Sequence, residues 1–221
     1  LTRNYRNADI IFEDNQHSKM NAACTRIIPN GVQIPEKAPN RSEWSAQGEI
    51  KLLAVGRLTD QKDPIGLINS FQKLNLPNVR LDFAGEGPLE SEARKAVISY
   101  GLSHQIRFLG LRDDVINLMQ DYDILVMHSK YEGMPVTILE AGSQAMPVVS
   151  TSVGSIPTLL DGGCGMLCSR EEFSITLAKA IANPRESLAA GSNLYKRVRD
   201  EHSVDGMTKA HETLYKELLS K

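Results

Sequence analysis

The chain has 221 residues, 41% hydrophobic and 24% charged, which is the composition of a soluble globular protein with room for one good core. Its net charge of −2 and its 5% aromatic content exclude the basic field and the base-stacking surface of a nucleic-acid-binding protein, so any phosphate site must be local. No apolar run is long enough to span a membrane, and no signal peptide is visible.

The cysteines indicate a reducing compartment, and we expect a cytoplasmic protein. There are three of them, Cys24, Cys164 and Cys168, and they form no dense framework. No Cys or His pair at metal-binding spacing accompanies Cys164 and Cys168, so we interpret both as small apolar residues rather than zinc ligands. The chain opens on Leu1 rather than Met, and we therefore expect a fragment or a processed product.

The first 49 residues do not form a complete unit. Strands are predicted over residues 8–13 and 26–32, the second ending in a Pro-Asn-Gly turn, with a short helix over 16–25 between them. These strands need a sheet to join, either in this chain or in a preceding domain. Residues 35–49 are polar and contain proline, which is typical of a surface loop, and Trp44 is expected to pin that loop rather than to bind a ligand.

From residue 50 onward, strands and helices alternate. The predicted strands are 50–55, 79–84, 105–109, 124–127, 148–150 and 165–168. The predicted helices are 63–74, 89–100, a short one capped by Asp113 or Asp114, one opened by Pro135, 155–160, 171–182 and an amphipathic one over 204–218. This alternation predicts an α/β fold, a Rossmann-like parallel sheet with helices on both faces. Ligands of such sheets bind beyond the carboxyl ends of the strands.

The most informative stretch is residues 123–150, a buried strand, a turn, a helix and a second strand. Proline suits the first helical position, and the amides after it form a site for an anion. Glu132 precedes this helix end and Glu140 lies roughly 7–8 Å along the axis from it. Carboxylates accept hydrogen bonds from sugar hydroxyls, so an acid on each side of an anion site favours a nucleotide-sugar. Alternatively, Glu132 caps the helix and Glu140 lies on a solvated face.

Two cations follow the first strand of the alternating set. Arg57 and Lys62 lie in the sequence GRLTDQK, where an arginine can bind phosphate bidentately and a lysine as a compact charge. They are suited to the two phosphates of a diphosphate, although a solvated loop is the alternative for such a pair taken alone.

A turn with two glycines and, separately, one histidine lie at other strand ends. Gly85 and Gly87 invite a dinucleotide-binding interpretation, but the third glycine of that fingerprint is missing and Pro88 follows, so NAD binding is weakly supported. His128 precedes the central turn, and we favour a packed strand-end histidine over a ligand contact.

These motifs together resemble those of the group 1 glycosyltransferases, the retaining GT-B enzymes of glycosyltransferase family 4. The resemblance covers about residues 26–200 and is carried by Glu132-Gly133-Met134-Pro135, by Glu140-Ala141 in a Glu-x7-Glu spacing, and by Val55-Gly56-Arg57-Leu58 with Lys62. It implies a half of the GT-B fold, the C-terminal domain that binds the sugar donor.

The resemblance also implies roles for individual residues. Arg57 and Lys62 would hold the donor diphosphate and Glu132 the transferred sugar, so these three are the candidate catalytic residues, in a reaction that needs no metal or cofactor. Glu140 would hold the ribose, and the loop of Leu111 would meet the nucleobase through its main chain. The candidate substrate-binding residues are Gly56, Gly85, Gly87, Leu111, Arg112, Gly133, Met134, Pro135, Val136, Thr137 and Glu140.

For the domain organisation, the resemblance implies that residues 1–34 end an upstream acceptor domain and that 35–200 form the donor-binding domain. Residues 201–221 would cross back to the missing N-terminal domain, so part of the apolar face of this last helix is expected to be exposed. An isolated piece of this kind should bind the nucleotide diphosphate weakly and transfer little or no sugar.

The function implied is transfer of a hexose-type sugar from a UDP- or GDP-linked donor to a glycan or lipid-linked acceptor, in polysaccharide biosynthesis. The partners are that nucleotide-sugar and that acceptor, without nucleic acid, and the full-length protein is expected in the cytoplasm or at the inner face of the membrane. Two alternatives stay open: a non-catalytic nucleotide-sugar-binding module and a GT-B sugar-nucleotide epimerase.

Overall fold

A computed structural model of the chain describes residues 9–12, 24–37, 39–41 and 48–220. Two short strands near the beginning, β1 (Asp9–Phe12) and β2 (Cys24–Ile27), pair with each other in parallel. The prediction of a helix over 16–25 is wrong at its end, because Cys24 and Thr25 belong to β2, and the rest of that range lies outside the described residues. The strand predicted over 26–32 ends at Ile27. Trp44 also lies outside the described residues.

The main body is a parallel sheet of six strands. They are β3 (Ile50–Val55), β4 (Val79–Ala84), β5 (Ile106–Phe108), β6 (Ile124–Met127), β7 (Val148–Thr151) and β8 (Met166–Cys168). Their spatial order is β5-β4-β3-β6-β7-β8, so the chain builds outward from β3 in one direction and then from β6 in the other. The sheet therefore has a switch point between β3 and β6, where the loops leaving the two strands diverge and a ligand can enter.

Within residues 48–220, five helices connect these strands, and three more follow β8. They are α1 (Pro64–Leu74), α2 (Glu90–Ser99), α3 (Val115–Leu118), α4 (Val136–Ser143), α5 (Ile156–Leu160), α6 (Phe173–Ala182), α7 (Pro184–Glu201) and α8 (Val204–Leu219). Side chains of a strand alternate between faces, so Leu52 packs into one core with α1, α2 and α6 while Leu53 packs into another with α4, α5 and α7. Because both faces are covered, the prediction of a Rossmann-like sheet with helices on both sides is confirmed.

The helix α7 is an element that the sequence patterns did not predict. Its buried face combines the small residues Ala190 and Gly191 with Leu194, Tyr195 and Val198, and most of its other residues are polar. A Cβ added to Gly191 would overlap the backbone of Ala145, so the missing side chain allows α7 to lie directly against the end of α4. Close packing of this kind leaves little trace in a hydrophobicity pattern.

The start of the last helix, α8, is hydrogen-bonded to the chain segment that follows β2. The amide of Val32 donates to the carbonyl of His202 (2.8 Å), and the amide of Val204 donates back to Val32 (3.0 Å). Leu214 is buried, whereas Tyr215 is 53% and Leu218 39% exposed, which confirms the expected exposure of part of this face. The domain limits at residues 34 and 200 and the crossing of α8 to another domain stay predictions. Among the described helices, none is long and apolar enough to cross a membrane.

Candidate active site

The loops that leave β3 and β4 form an open cleft of about 500 Å³ at the carboxyl edge of the sheet. Six of the predicted site residues line it, together with Val55, Ala84, Glu86 and Val115: Gly56, Arg57, Gly85, Gly87, Leu111 and Arg112. Arg57 is exposed, and no ion-pair partner is found for it within the described part of the chain. The cleft therefore offers an unpaired guanidinium group beside glycine backbone, which suits an anionic ligand.

The glycines of this cleft let two loops approach each other closely. Gly85 has a φ of +146°, and a Cβ added there would overlap the carbonyl oxygen of Gly56; one added to Gly87 would overlap the carbonyl of Leu58. The amide of Leu58 in turn donates to the carbonyl of Glu86 (2.9 Å). The close approach of the two loops therefore explains why both positions are glycine. Contact of Gly85 and Gly87 with a donor stays a prediction.

The predicted nucleobase loop lies on the far rim of the cleft. The Leu111 side chain is 77% exposed, and its amide donates to Oε1 of Glu86 (3.3 Å). Arg112 forms a bidentate pair with Asp114, with Nε–Oδ1 and Nη2–Oδ2 distances of 2.8 and 2.5 Å. The hydrogen bond from Arg112 lowers the pKa of the Asp114 carboxyl, so Arg112 is partnered within the protein.

Lys62 and Glu132 meet across the switch point of the sheet. The Lys62 Nζ lies 2.5 Å from Glu132 Oε1, and the Glu132 side chain is only 5% exposed. The aliphatic part of Lys62 passes over Gly56, where an added Cβ would lie 3.1 Å from Lys62 Cε. Arg57, Lys62 and Ser129 also line one small cavity behind this pair. The two cations predicted for the diphosphate therefore lie at the same edge of the sheet as Glu132.

The turn that carries Glu132 is held by the two strands beside it. Ser129 Oγ donates to Glu132 Oε1 (2.6 Å), and Thr151 Oγ1 of β7 donates to the Ser129 carbonyl (2.7 Å). Gly154 packs against the Glu132 backbone so closely that a Cβ there would overlap its carbonyl oxygen. The Ser155 hydroxyl donates to the carbonyl of Gly133. Glu132 is thus fixed by hydrogen bonds and by backbone packing.

The helix α4 begins one residue later than predicted. Pro135 has φ −74° and ψ 105°, so it is extended and occupies the N-cap position, and Val136 is the first helical residue. The helix therefore begins after proline rather than with it. The amides of Val136 and Thr137 have no carbonyl acceptor within the helix, because the residues four positions earlier lie outside it. They therefore point out of the positive end of the helix. Met134 is half-buried against the core beside α4, whereas Val136 is 43% exposed.

Glu140 lies on the first turns of α4 and is half-buried. Burial raises the pKa of its carboxyl, and no hydrogen-bond partner for the side chain is found among the described residues. A carboxylate that is partly removed from water and unpaired is available to accept hydrogen bonds from a ligand. The sequence-based alternative of a fully solvated Glu140 does not hold.

Glu140→Gln is expected to raise the melting temperature at about pH 7 by about 1–2 °C relative to the wild type. The folded state holds this proton more tightly than the unfolded state, so stability falls as the pH rises through the raised pKa. At about pH 4, where a glutamate is half-protonated in the unfolded chain, the difference should close. Thermal unfolding of both proteins followed by circular dichroism at the two pH values measures this. A gap that is constant across pH would contradict the expectation.

Three supporting residues of the site escaped the sequence analysis. Ser129 and Gly154 contact Glu132 directly. Asp63 is the N-cap of α1: it has a φ of 49°, and its side chain accepts a hydrogen bond from the amide of Gly66 (3.1 Å). His128 had been interpreted as a packed residue, which is confirmed because it is 4% exposed and its ring contacts Phe173 edge-on. The signal for Asp63 was the sequence Asp63-Pro64, a capping residue before a proline at the first helical position.

Comparison with known proteins decides the family. Residues 36–197 match the family described as glycosyl transferases group 1. The chain belongs to this family. It is 27% identical over 198 residues to the UDP-Gal:alpha-D-GlcNAc-diphosphoundecaprenol alpha-1,3-galactosyltransferase of Escherichia coli, covering 78% of this chain and 51% of that protein. It is also 30% identical over 164 residues to the lipopolysaccharide core biosynthesis glycosyltransferase LpsE of Rhizobium meliloti (strain 1021), covering 74% of this chain and 44% of that protein.

The fold is shared with solved structures of glycosyltransferases. Anabaena Alr3699/HepE, solved in complex with UDP and glucose, superposes with a TM-score of 0.79 at 20% identity, covering 93% of this chain and 62% of that one. The expected resemblance to group 1 glycosyltransferases and to the GT-B fold is therefore confirmed. This chain spans about half the length of the curated relatives that it matches.

Proposed function

We propose that this chain is the donor-binding domain of a retaining glycosyltransferase that transfers a hexose-type sugar from a nucleotide diphosphate. The observation that carries the proposal is the meeting of Lys62 and Glu132 at the switch point, with Arg57 exposed beside them and the N-terminus of α4 immediately after. A cation pair, an acid and a helix end at one edge of the sheet match the charges of an activated sugar donor.

The chemistry follows from where charge develops. As the glycosidic bond stretches, the departing diphosphate gains negative charge and the sugar ring gains positive charge. Arg57, Lys62 and the amides of α4 are suited to stabilise the diphosphate without a metal, so metal independence is part of the proposal. Glu132, held by Ser129 at 2.6 Å, would face the sugar and favour its positive charge. Retention would follow from same-face attack assisted by the leaving phosphate, rather than from a covalent intermediate.

Lys62 has two roles in this scheme. In the unliganded protein its ammonium group neutralises Glu132, which would otherwise be a nearly buried unpaired carboxylate. When the donor binds, a phosphate oxygen would share this ammonium group and bring the sugar towards Glu132. Binding of the phosphate and positioning of the acid are therefore coupled through one side chain.

The related proteins support a UDP-linked donor. One relative is named for transfer of galactose from UDP-Gal to a diphosphoundecaprenol-linked sugar, and HepE was solved with UDP and glucose. We extend this to a UDP-linked hexose as donor and a glycan or lipid-linked acceptor, with cytoplasmic action in polysaccharide biosynthesis, at the inner face of the membrane. These statements concern a whole protein of which this chain is the donor-binding part.

The ribose contact provides the most direct test. Glu140→Ala is expected to weaken UDP binding by about tenfold, because two ribose hydroxyls lose a charged acceptor. The affinity for 2′,3′-dideoxy-UDP, which lacks those hydroxyls, should be equal for both proteins. Isothermal titration calorimetry with UDP and the dideoxy analogue measures both. Equal affinity of wild type and variant for UDP would contradict the ribose assignment, and no binding of UDP, GDP or ADP by the wild type would contradict the proposed function.

An assay of the proposed whole protein distinguishes the transferase from the two alternatives, the epimerase and the binding module. Supplied with UDP-, GDP- and ADP-sugars, a transferase should release nucleotide diphosphate and form a glycoside, an epimerase should change the sugar while it remains on the nucleotide, and a binding module should do neither. The complete set of Arg57, Lys62, Glu132 and Glu140, with Lys62 and Glu132 paired, favours the transferase over a binding module that has lost catalysis.

A further inference from the structure

A buried group of side chains lies directly beneath the Lys62–Glu132 pair. His128 Nδ1 lies 3.0 Å from Asp63 Oδ2, and His128 Nε2 lies 3.3 Å from Ser70 Oγ. His128, Ser70 and Asp63 are 4%, 6% and 8% exposed. Although the order Asp-His-Ser is that of a hydrolase triad, Ser70 lies on the buried face of α1, where no substrate can reach it.

The carboxylate of Asp63 can only accept, so Nδ1 of His128 carries a hydrogen. In the neutral imidazole, Nε2 then accepts from the Ser70 hydroxyl. Burial lowers the pKa of His128, which agrees with the neutral form, and Asp63 opposes that effect. Arg170 donates to the same Asp63 oxygen (2.7 Å) and supplies the positive charge that this nearly buried carboxylate needs.

The two ends of this hydrogen bond are the chain neighbours of the candidate catalytic pair. Asp63 follows Lys62 and caps α1, whereas His128 directly follows β6 and precedes Ser129, which donates to Glu132. The His128–Asp63 hydrogen bond therefore joins the two chain segments that carry Lys62 and Glu132, and the Lys62–Glu132 pair joins the same segments a second time. Further links lie nearer the surface, where the amide of Lys130 donates to the carbonyl of Gln61 (2.8 Å) and the Gln61 side chain donates to the carbonyl of Tyr131 (3.1 Å).

A glycine makes the buried link possible. A Cβ added to Gly66 would overlap Asp63 and would lie 2.7 Å from Cε1 of His128. The first turn of α1 thus has no side chain at the position where the carboxylate and the imidazole meet.

From this geometry we propose that Asp63 and His128 are positioning residues that hold Lys62 and Glu132 in register across the switch point. This inference rests on the proposed function, which gives the pair its donor. Of the two bonds made by His128, the one to Asp63 transmits the position, because only Asp63 adjoins Lys62. The bond to Ser70 contributes to stability alone.

Two substitutions at one position separate these bonds. In His128→Asn the amide nitrogen takes the place of Nδ1 and still donates to Asp63. In His128→Gln it takes the place of Nε2 and donates to the Ser70 hydroxyl, which then accepts this bond. Both variants lose the ring that contacts Phe173. We expect His128→Asn to bind UDP within about twofold of the wild type and His128→Gln about tenfold more weakly, while both melt at similar temperatures.

Ser70→Ala and Gly66→Ala are the matched controls. The first should lower the melting temperature and leave UDP affinity unchanged, and the second should reproduce the effect of His128→Gln by separating Asp63 from His128. Calorimetry with UDP and thermal unfolding measure both properties. Equal UDP affinity of the Asn and Gln variants, whether both retained or both weakened, would overturn the proposal.

A measurement without nucleotide tests the positioning role separately from the proposed function. An ammonium group held by a carboxylate is a poor nucleophile, so Lys62 should be acetylated slowly by a limiting amine-reactive reagent. Lys95 is the internal reference, because it is exposed on α2 and no ion-pair partner is found for it among the described residues. We expect His128→Gln to accelerate Lys62 modification by about threefold and His128→Asn to leave it unchanged, as mass spectrometry can quantify. This pattern in a protein that binds no UDP would remove the proposed function and keep the positioning role; equal labelling in both variants would remove the positioning role.

Discussion

Replacing Lys62 by alanine is expected to lower the affinity for UDP by about 100-fold, more than the loss of one charged contact alone would cause. The reason is the Nζ–Oε1 distance of 2.5 Å, which makes Lys62 the counter-ion of Glu132 before any donor arrives. Without that ammonium group, an unpaired carboxylate that is 5% exposed would face the incoming diphosphate. The variant therefore loses an attraction and gains a repulsion. Isothermal titration calorimetry with UDP measures the sum of both.

A double-mutant cycle separates the two contributions. Adding Glu132→Ala to Lys62→Ala removes the repulsion and should recover about tenfold of the lost affinity, a coupling typical of residues in direct contact. Arg57 provides the matched cation, because it is exposed and unpaired among the described residues. Arg57→Ala should weaken UDP binding as well, but its effect should add to that of Glu132→Ala without coupling. An additive result for Lys62 and Glu132 would contradict the shared role of Lys62.

Most of the fold could be predicted because it follows from local patterns. The strands β3, β4 and β6 are apolar runs bounded by glycine or polar turns, and their bounds agree with the structure to within a residue. The failures occur where packing depends on residues far apart in sequence. The helix α7 packs closely against α4, with Leu194 and Val198 lying over Gly142. Cys24 and Thr25 form a strand through pairing with β1.

The candidate residues could be chosen from the sequence, but their contacts could not. Motifs point to Arg57, Lys62, Glu132 and Glu140, and the order of the strands explains why they lie at one edge of the sheet. Their roles stay predictions. No sequence pattern reports that Lys62 and Glu132 touch, nor that His128 bonds Asp63, which is 65 residues away. Gly154 was missed for the same reason, because the backbone that it contacts belongs to another loop.

Gly154 has the largest expected effect on stability. It has a φ of +58°, and an added Cβ would overlap the carbonyl oxygen of Glu132, so Gly154→Ala must both strain its own backbone and displace the turn 129–135. We expect the free energy of unfolding to fall by about 3–5 kcal/mol, at the upper end of single substitutions. Gly101 is the matched control, since it has a φ of +69° and no atom within 4 Å of the added Cβ. Gly101→Ala should cost only the strain, about 1–2 kcal/mol.

The difference between these two variants in urea unfolding isolates the overlap from the strain, because both substitutions add the same methyl group to a left-handed backbone. The same overlap predicts which property of the folded variant changes. The carbonyl that must move belongs to Glu132, whose carboxylate pairs with Lys62, so Gly154→Ala should also weaken UDP binding while Gly101→Ala leaves it unchanged. Equal losses of stability in the two variants would show that the turn yields at no cost. Glu132 would then owe its position to Ser129 and Lys62 rather than to the backbone packed against it.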